Sequence, residues 1–144
     1  MLEAAGLSAV PPEDAARHLQ SHGAGAVVVT LGAAGALLLS RDGTCTSMDA
    51  FRVRVVDTTA AGDAFVGAFA VALAEGATAA DALRFGTAAG AVTVTRPGAQ
   101  PSLPSRAELE ALLAARNGRH SDVAGVISQS AAKPNPRVRR GGTR

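Results

Sequence analysis

Aromatic side chains are nearly missing from this 144-residue sequence, which has four Phe and no Trp or Tyr. A core without large rings must be filled by Ala, Val and Leu in close contact, which suits tightly packed helices on a sheet. Cysteine is as scarce. The single Cys45 cannot close an internal disulfide, and no Cys/His cluster has zinc-ligand spacing. Neither a secreted disulfide scaffold nor a structural metal is indicated, and a cytoplasmic location is expected. The sequence also lacks any run of the roughly 18 apolar residues that a membrane helix needs. Its N-terminus has no basic patch followed by an apolar stretch, so no signal peptide and no membrane partner are expected.

Apolar residues make up 47% of the chain, enough for one modest domain with a real core. The net charge of +2 hides an asymmetry. Residues 1–115 carry seven Arg against eleven acids, whereas residues 116–144 carry seven Lys or Arg against Asp122 alone. That second segment mixes Pro, Gly, Ser and Arg around one short apolar patch, Val123 to Ile127. Such a composition does not repay the entropy of ordering. It is expected to be a basic, disordered tail, and a solvated extension rather than a nucleic-acid contact.

Within residues 1–115, Pro11 and Pro12 precede Glu13 and Asp14, placing proline and acids in the first turn of a helix near 12–22. Gly23 and Gly25 lead into a β-branched run at 26–30, which reads as a strand covered on both faces. The glycines of Thr30-Leu31-Gly32-Ala33-Ala34-Gly35 turn the chain into a second apolar run, and Arg41-Asp42-Gly43 turns it again. Strands are expected near 36–40 and 44–48. Phe51, Val53 and Val55 alternate with Arg52 and Arg54, the pattern of a further strand at 51–56 with one wet face. Helices follow near 61–75, 78–92 and 105–115. Gly76 ends the first of these, and Thr78 with Asp81 and Ser105 with Glu108 form capping-box patterns at the starts of the others. His18, His22 and His120 have no partner at metal spacing and read as surface residues.

The stretch from Asp57 to Gly67 carries the chemistry. A strand ends, small residues turn the chain, and an apolar helix begins. Unpaired N–H groups at a helix start, with no bulky Cβ at Gly62, offer a site for the negative charge of a transferring phosphoryl group. Asp63, in the same first turn, is placed to take a proton from an attacking hydroxyl. An aspartate there is also ordinary capping chemistry. Asp57 and Thr58 likewise suit a plain turn, Gly32 and Gly35 suit positive φ, and Ser102 suits a loop.

The string DTTAAGDAFVGAF at 57–69 resembles the signature of the PfkB-type carbohydrate kinases, the ribokinase family, in its Ala-Ala-Gly-Asp variant. TLGAAG at 30–35 is similar to that family's ATP-contacting turn, and FRVRVVDTTAAGD preserves the strand before the signature. TRPGAQPS at 95–102 resembles the loop after the next helix. Together, TRxGAQPS and DTTAAGD look more like the ribokinase branch than like fructokinases or adenosine kinases. The resemblance implies the C-terminal, nucleotide-binding part of a three-layer α/β/α ribokinase-like domain over residues 1–115. The implied reaction is ATP-dependent phosphorylation of a pentose hydroxyl, D-ribose to ribose 5-phosphate.

Carried over residue by residue, the resemblance makes Asp63 the base and the N–H groups of Ala61, Gly62 and Asp63 the anion hole for the γ-phosphoryl group. It implies ATP contacts at Thr30, Gly32, Ala33, Gly35, Gly62 and Thr87. A potassium site would use Asp57, Thr59, Thr93, Arg96, Gly98 and Ser102, largely through main-chain oxygens. Implied cofactors are ATP, Mg²⁺ and K⁺. A complete chain of the family is much longer and keeps its sugar-binding residues, lid strands and most of its sheet in an N-terminal half. The family's Asn-x-x-Glu motif does not occur here, and Glu3 does not stand in for it. What remains is expected to be a parallel sheet with an exposed apolar edge and an uncovered face. A missing N-terminal half or a homodimer is the expected partner, and the alternatives to an active kinase are an inactive nucleotide-binding remnant or one part of a split enzyme.

Overall fold

The computed structural model describes residues 10–116. Helix α1 spans Pro12–Ser21, strands β1, β2 and β3 span Val27–Thr30, Ala36–Leu39 and Cys45–Met48, and helices α2 and α3 span Ala61–Ala74 and Ala79–Thr93. A last helix, α4, covers 106–116. Single 3₁₀ turns lie at Gly32–Ala34 and Gln100–Ser102. The basic segment expected at 116–144 lies beyond Arg116 outside the described residues, as do His120 and Glu3. Among the described residues no helix is long and apolar enough to cross a membrane.

The helices start where their sequences say they should. α1 has Pro12 at its first position and Glu13 and Asp14 in its first turn, and it ends before Gly23 at φ 104°. In α3, the Thr78 hydroxyl accepts from the Asp81 N–H at 3.1 Å and donates to the Asp81 carboxylate at 2.6 Å. At α4, Glu108 accepts from both the N–H and the hydroxyl of Ser105, at 2.8 and 2.9 Å. These contacts satisfy donors that a helix start leaves open.

The three strands form one sheet in the order β1-β2-β3, and both pairings are antiparallel, with Val27 opposite Leu39 and Leu39 opposite Cys45. The expected parallel arrangement is therefore wrong for this sheet. A parallel neighbour needs a crossover of a dozen or more residues, whereas 31–35 and 40–44 are hairpin turns. Leu31 N–H donates to Gly35 O at 2.8 Å across the first, and Ser40 N–H donates to Thr44 O at 2.8 Å across the second.

β2 is buried at every position, as a strand covered on both faces must be. Leu37 and Leu39 pack with Val27, Val29 and Ala16 of α1. Ala36 and Leu38 point the other way, onto Phe65 of α2 and Leu83 of α3. The result is a three-layer α/β/α arrangement with both faces of this small sheet covered, contrary to the expected uncovered face. α2 and α3 pack closely because α3 is small where they meet. A Cβ on Gly86 would lie 3.0 Å from the Phe65 carbonyl, and one on Gly90 would lie 3.4 Å from the Ala61 carbonyl.

Residues 51–56 form no strand. Phe51 is buried and Val53 packs behind it against Ala64 and Ala88, while Arg52 and Arg54 are exposed. The period-two alternation thus holds from Phe51 to Arg54 but fails at Val55, which is 60% exposed, and no neighbouring strand is present among the described residues to turn it into a ladder.

Candidate active site

The turn before α2 is held in an unusual shape. Ala60, its N-cap, has φ 60° and ψ 7° and is the one non-glycine residue among those described with positive φ. The left-handed region costs an L-residue roughly 1–2 kcal/mol, and such strain persists where the surroundings fix it. Nothing in the residue type announces it, because alanine carries none of the signals of glycine or asparagine. Ala61, Gly62 and Asp63 follow as the first three helical residues. The N–H of Ala61 makes a long bond of 3.3 Å to Thr58 O. Among the described residues, the N–H groups of Gly62 and Asp63 have no acceptor, as expected for a helix start. Both residues are exposed, and a Cβ on Gly62 would meet nothing within 4 Å.

Asp57 fixes this turn from below. Its Oδ1 accepts from the Thr59 hydroxyl at 2.6 Å and the Thr59 N–H at 2.8 Å, and its Oδ2 accepts from the Gly98 N–H at 2.8 Å. The Thr59 hydroxyl, then the Thr59 and Gly98 N–H groups, hold its carboxyl down at about 2, below the ordinary 3.8. The N–H groups of Val56 and Asp57 also share Val94 O. Asp57, Thr59, Thr93 and Gly98 are thereby gathered where the end of α3 meets the turn into α2. Arg96 is paired outward with Glu108 at 2.8 Å. Ser102 is fully buried, with its hydroxyl donating to Ala99 O at 2.6 Å.

Thr93 is the anomaly of the group, being fully buried with no hydrogen-bond partner for Oγ1. A buried hydroxyl left unpaired is costly, and an unmet oxygen in an oxygen-lined loop suits a bound cation or water. Thr87 shows no such vacancy, since its hydroxyl donates to Leu83 O at 2.8 Å. No group of three or more His, Cys, Asp or Glu is placed to hold a metal ion among the described residues.

The 30–35 turn leads into β2, which is joined to α2 through the core formed by Ala36, Leu38 and Phe65. Thr30, Gly32 and Ala33 are exposed. Gly35 is buried at φ 101°, and a Cβ there would fall 1.9 Å from Met48 O. Its glycine is therefore demanded by the close approach of β2 to the end of β3, whatever else the turn binds. Two clefts, of about 280 and 260 Å³, lie beside Phe51 and Arg116 and beside Phe85 and Arg106. Neither is lined by a residue of the 30–35 or 57–63 turns.

Residues 2–106 match the model of the pfkB family carbohydrate kinases. The chain is 49% identical over 82 residues to the ribokinase of Haemophilus influenzae, an alignment covering 57% of this chain and 26% of that protein. The crystal structure of Thermotoga maritima ribokinase superposes with a TM-score of 0.69 at 49% identity, covering 72% of this chain and 35% of that one. Arabidopsis thaliana ribokinase complexed with ribose and ATP superposes at 0.67 with 38% identity, covering 69% and 32%. The chain thus spans about a quarter to a third of the length of these relatives. On the match across most of its length, the chain belongs to the pfkB family of carbohydrate kinases.

Proposed function

We propose that the chain is the nucleotide-binding part of an ATP-dependent sugar kinase of ribokinase type. In this reading it phosphorylates a pentose hydroxyl in the cytoplasm, converting D-ribose to ribose 5-phosphate. The observation that carries the reading is the first turn of α2, where exposed Asp63 stands beside two free backbone N–H groups on a turn locked by Ala60 and Asp57. The Arabidopsis relative, bound to ribose and ATP, supports the choice of substrates.

Asp63 accepts the proton of the sugar hydroxyl as its oxygen attacks the γ-phosphorus. The new O–P bond forms as the bond to the β-phosphate oxygen breaks, and ADP leaves. The N–H groups of Gly62 and Asp63 meet the charge spreading over the phosphoryl oxygens, and Ala61 joins them if its weak bond to Thr58 O opens. Thr30, Gly32, Ala33, Gly35 and Thr87 contribute to the ATP site. The oxygen-rich junction of Asp57, Thr59, Thr93, Arg96, Gly98 and Ser102 suits K⁺, which would supply charge to stiffen the turn. Mg²⁺ would supply charge neutralisation on the ATP phosphates.

A second reading is an inactive nucleotide-binding remnant or one part of a split kinase; the chain covers 26% and 35% of the length of two of its relatives. Residues 1–115 would be the kinase part and 116–144 an appended basic tail. A coupled ADP-release assay with D-ribose, Mg-ATP and K⁺ separates the two. Under the kinase reading, Asp63→Asn lowers ribose-dependent turnover about 10²–10⁴-fold while leaving ATP binding intact. ATP binding without turnover in the parent chain would move the assignment to the remnant.

A further inference from the structure

α1 closes on two histidines. His18 lies in its last turn and His22 is its C-cap. Both are exposed, as expected of surface residues, but at i and i+4 they share one face of the helix. Their ring centres are 4.5 Å apart. Two imidazoles sharing one zinc-sized ion, each N–metal bond near 2.0–2.1 Å, bring their ring centres to about 5 Å. The last carbonyls of a helix lack an N–H partner. Here the His22 N–H turns to Leu19 O, and His18 O takes side chains instead. The Ser21 hydroxyl donates to it at 2.7 Å, and His22 Nδ1 lies 2.9 Å from it. A carbonyl oxygen only accepts, so the ring proton of His22 sits on Nδ1. The Ser21 hydroxyl, its single hydrogen spent on the same carbonyl, also only accepts where it lies 3.3 Å from Nδ1. Nε2 is thereby left as the bare nitrogen of His22. A backbone carbonyl that holds Nδ1–H is how a metal-binding histidine is fixed in tautomer and aim.

We propose that His18 and His22 form a site for a transition-metal dication of the Zn²⁺, Ni²⁺ or Cu²⁺ kind, with water in the remaining positions. Histidines at i and i+4 of a helix are a recurrent chelating pair. Imidazole suits these ions, whereas Mg²⁺ and Ca²⁺ call for oxygen ligands. No third His, Cys, Asp or Glu is placed to join the pair among the described residues, so the site is open and weaker than a closed structural one. A histidine at a helix C-terminus also suits the helix dipole, but that role needs a single charged ring, and two charged rings this close would repel. The bound ion clasps the last turn of α1, whose Ala16 packs with Leu37 and Leu39. α2 lies on the other face of the sheet, through Phe65 against Ala36 and Leu38. The site is therefore separate from the Asp63 turn and does not depend on the kinase reading.

The test is calorimetric titration of the full 144-residue chain with Ni²⁺ in the absence of ATP. One ion per chain is expected, with a rise in melting temperature that follows its uptake. His18→Gln and His22→Gln should each weaken binding about ten-fold or more and remove the rise, and Mg²⁺ should produce neither effect. Both side chains are exposed, so the variants are expected to keep the fold, which their metal-free melting temperatures check. His120→Gln and Cys45→Ser should bind as the parent does. The proposal is overturned if either histidine of α1 can be replaced without loss, if His120→Gln or Cys45→Ser abolishes uptake, or if no Ni²⁺ is bound. A ratio of one ion to two chains would also overturn it, for then a second copy and not water fills the open positions.

Discussion

The 30–35 turn and the 57–63 turn both looked like ligand loops, yet they obey opposite rules. At Gly35 the backbone needs positive φ and the sequence supplies glycine, with β3 so close that no side chain would fit. At Ala60 the backbone also adopts positive φ, and the sequence supplies a residue that resists it. The first turn is what packing requires. The second is strained, and it stands where the candidate base is presented.

Breaking the first turn should give the largest effect. Gly35→Ala combines a clash with a main-chain carbonyl and an unfavourable φ, and is expected to cost about 3 kcal/mol or more, read as a drop in denaturation midpoint. A cost below about 1 kcal/mol would show that β3 can move away. Next is Thr93→Val, which removes a buried hydroxyl that has no partner while keeping the shape. It should stabilise the ligand-free chain by about 1 kcal/mol in thermal unfolding without K⁺. A loss in that experiment would mean that the hydroxyl is satisfied in solution.

Relaxing the second turn should be a smaller gain. Ala60→Gly removes about 1–2 kcal/mol of strain but loosens the unfolded chain by about 0.4–1, for a net stabilisation near 0.5 kcal/mol. A destabilisation would show that the left-handed geometry carries no strain. The smallest signal is electrostatic. Because Asp57's carboxyl is held low, its bonds are fully present above the ordinary pKa of 3.8 and are lost as pH falls through about 2. The Gly98 amide resonance should titrate near 2, and a midpoint near 4 would mean that the clasp is open in solution.

Much of this molecule was legible because it is written locally. Proline and acids at the start of α1, Thr78 with Asp81, and Ser105 with Glu108 declare helix starts through contacts within one turn. The hairpin glycines also declare themselves, but strand direction does not follow from a run such as Val27-Val28-Val29, which reads the same in a parallel or an antiparallel sheet. Residues 51–56 show the other limit. Their alternation reports the buried side of Phe51 and Val53 correctly but not that of Val55, which is exposed, and a ladder needs a partner that a period-two pattern does not name. The turn at 57–63 was found through its motif, and its two most informative features were missed for physical reasons. Strain at Ala60 contradicts local preference, and the unmet hydroxyl of Thr93 exists only once tertiary packing has buried it.

The bond from Gly98 to Asp57 spans 41 residues. All of α2 and α3 lie inside the loop it closes, so the clasp acts as a non-covalent staple across a helical hairpin. Opening the turn at one end releases the chain at the other, and the two helices between them then lose a shared restraint. Amide exchange from α2 and α3 should therefore quicken together when the staple is cut. In evolutionary terms, a substitution that loosens the candidate phosphoryl site is also exposed to selection for an intact fold.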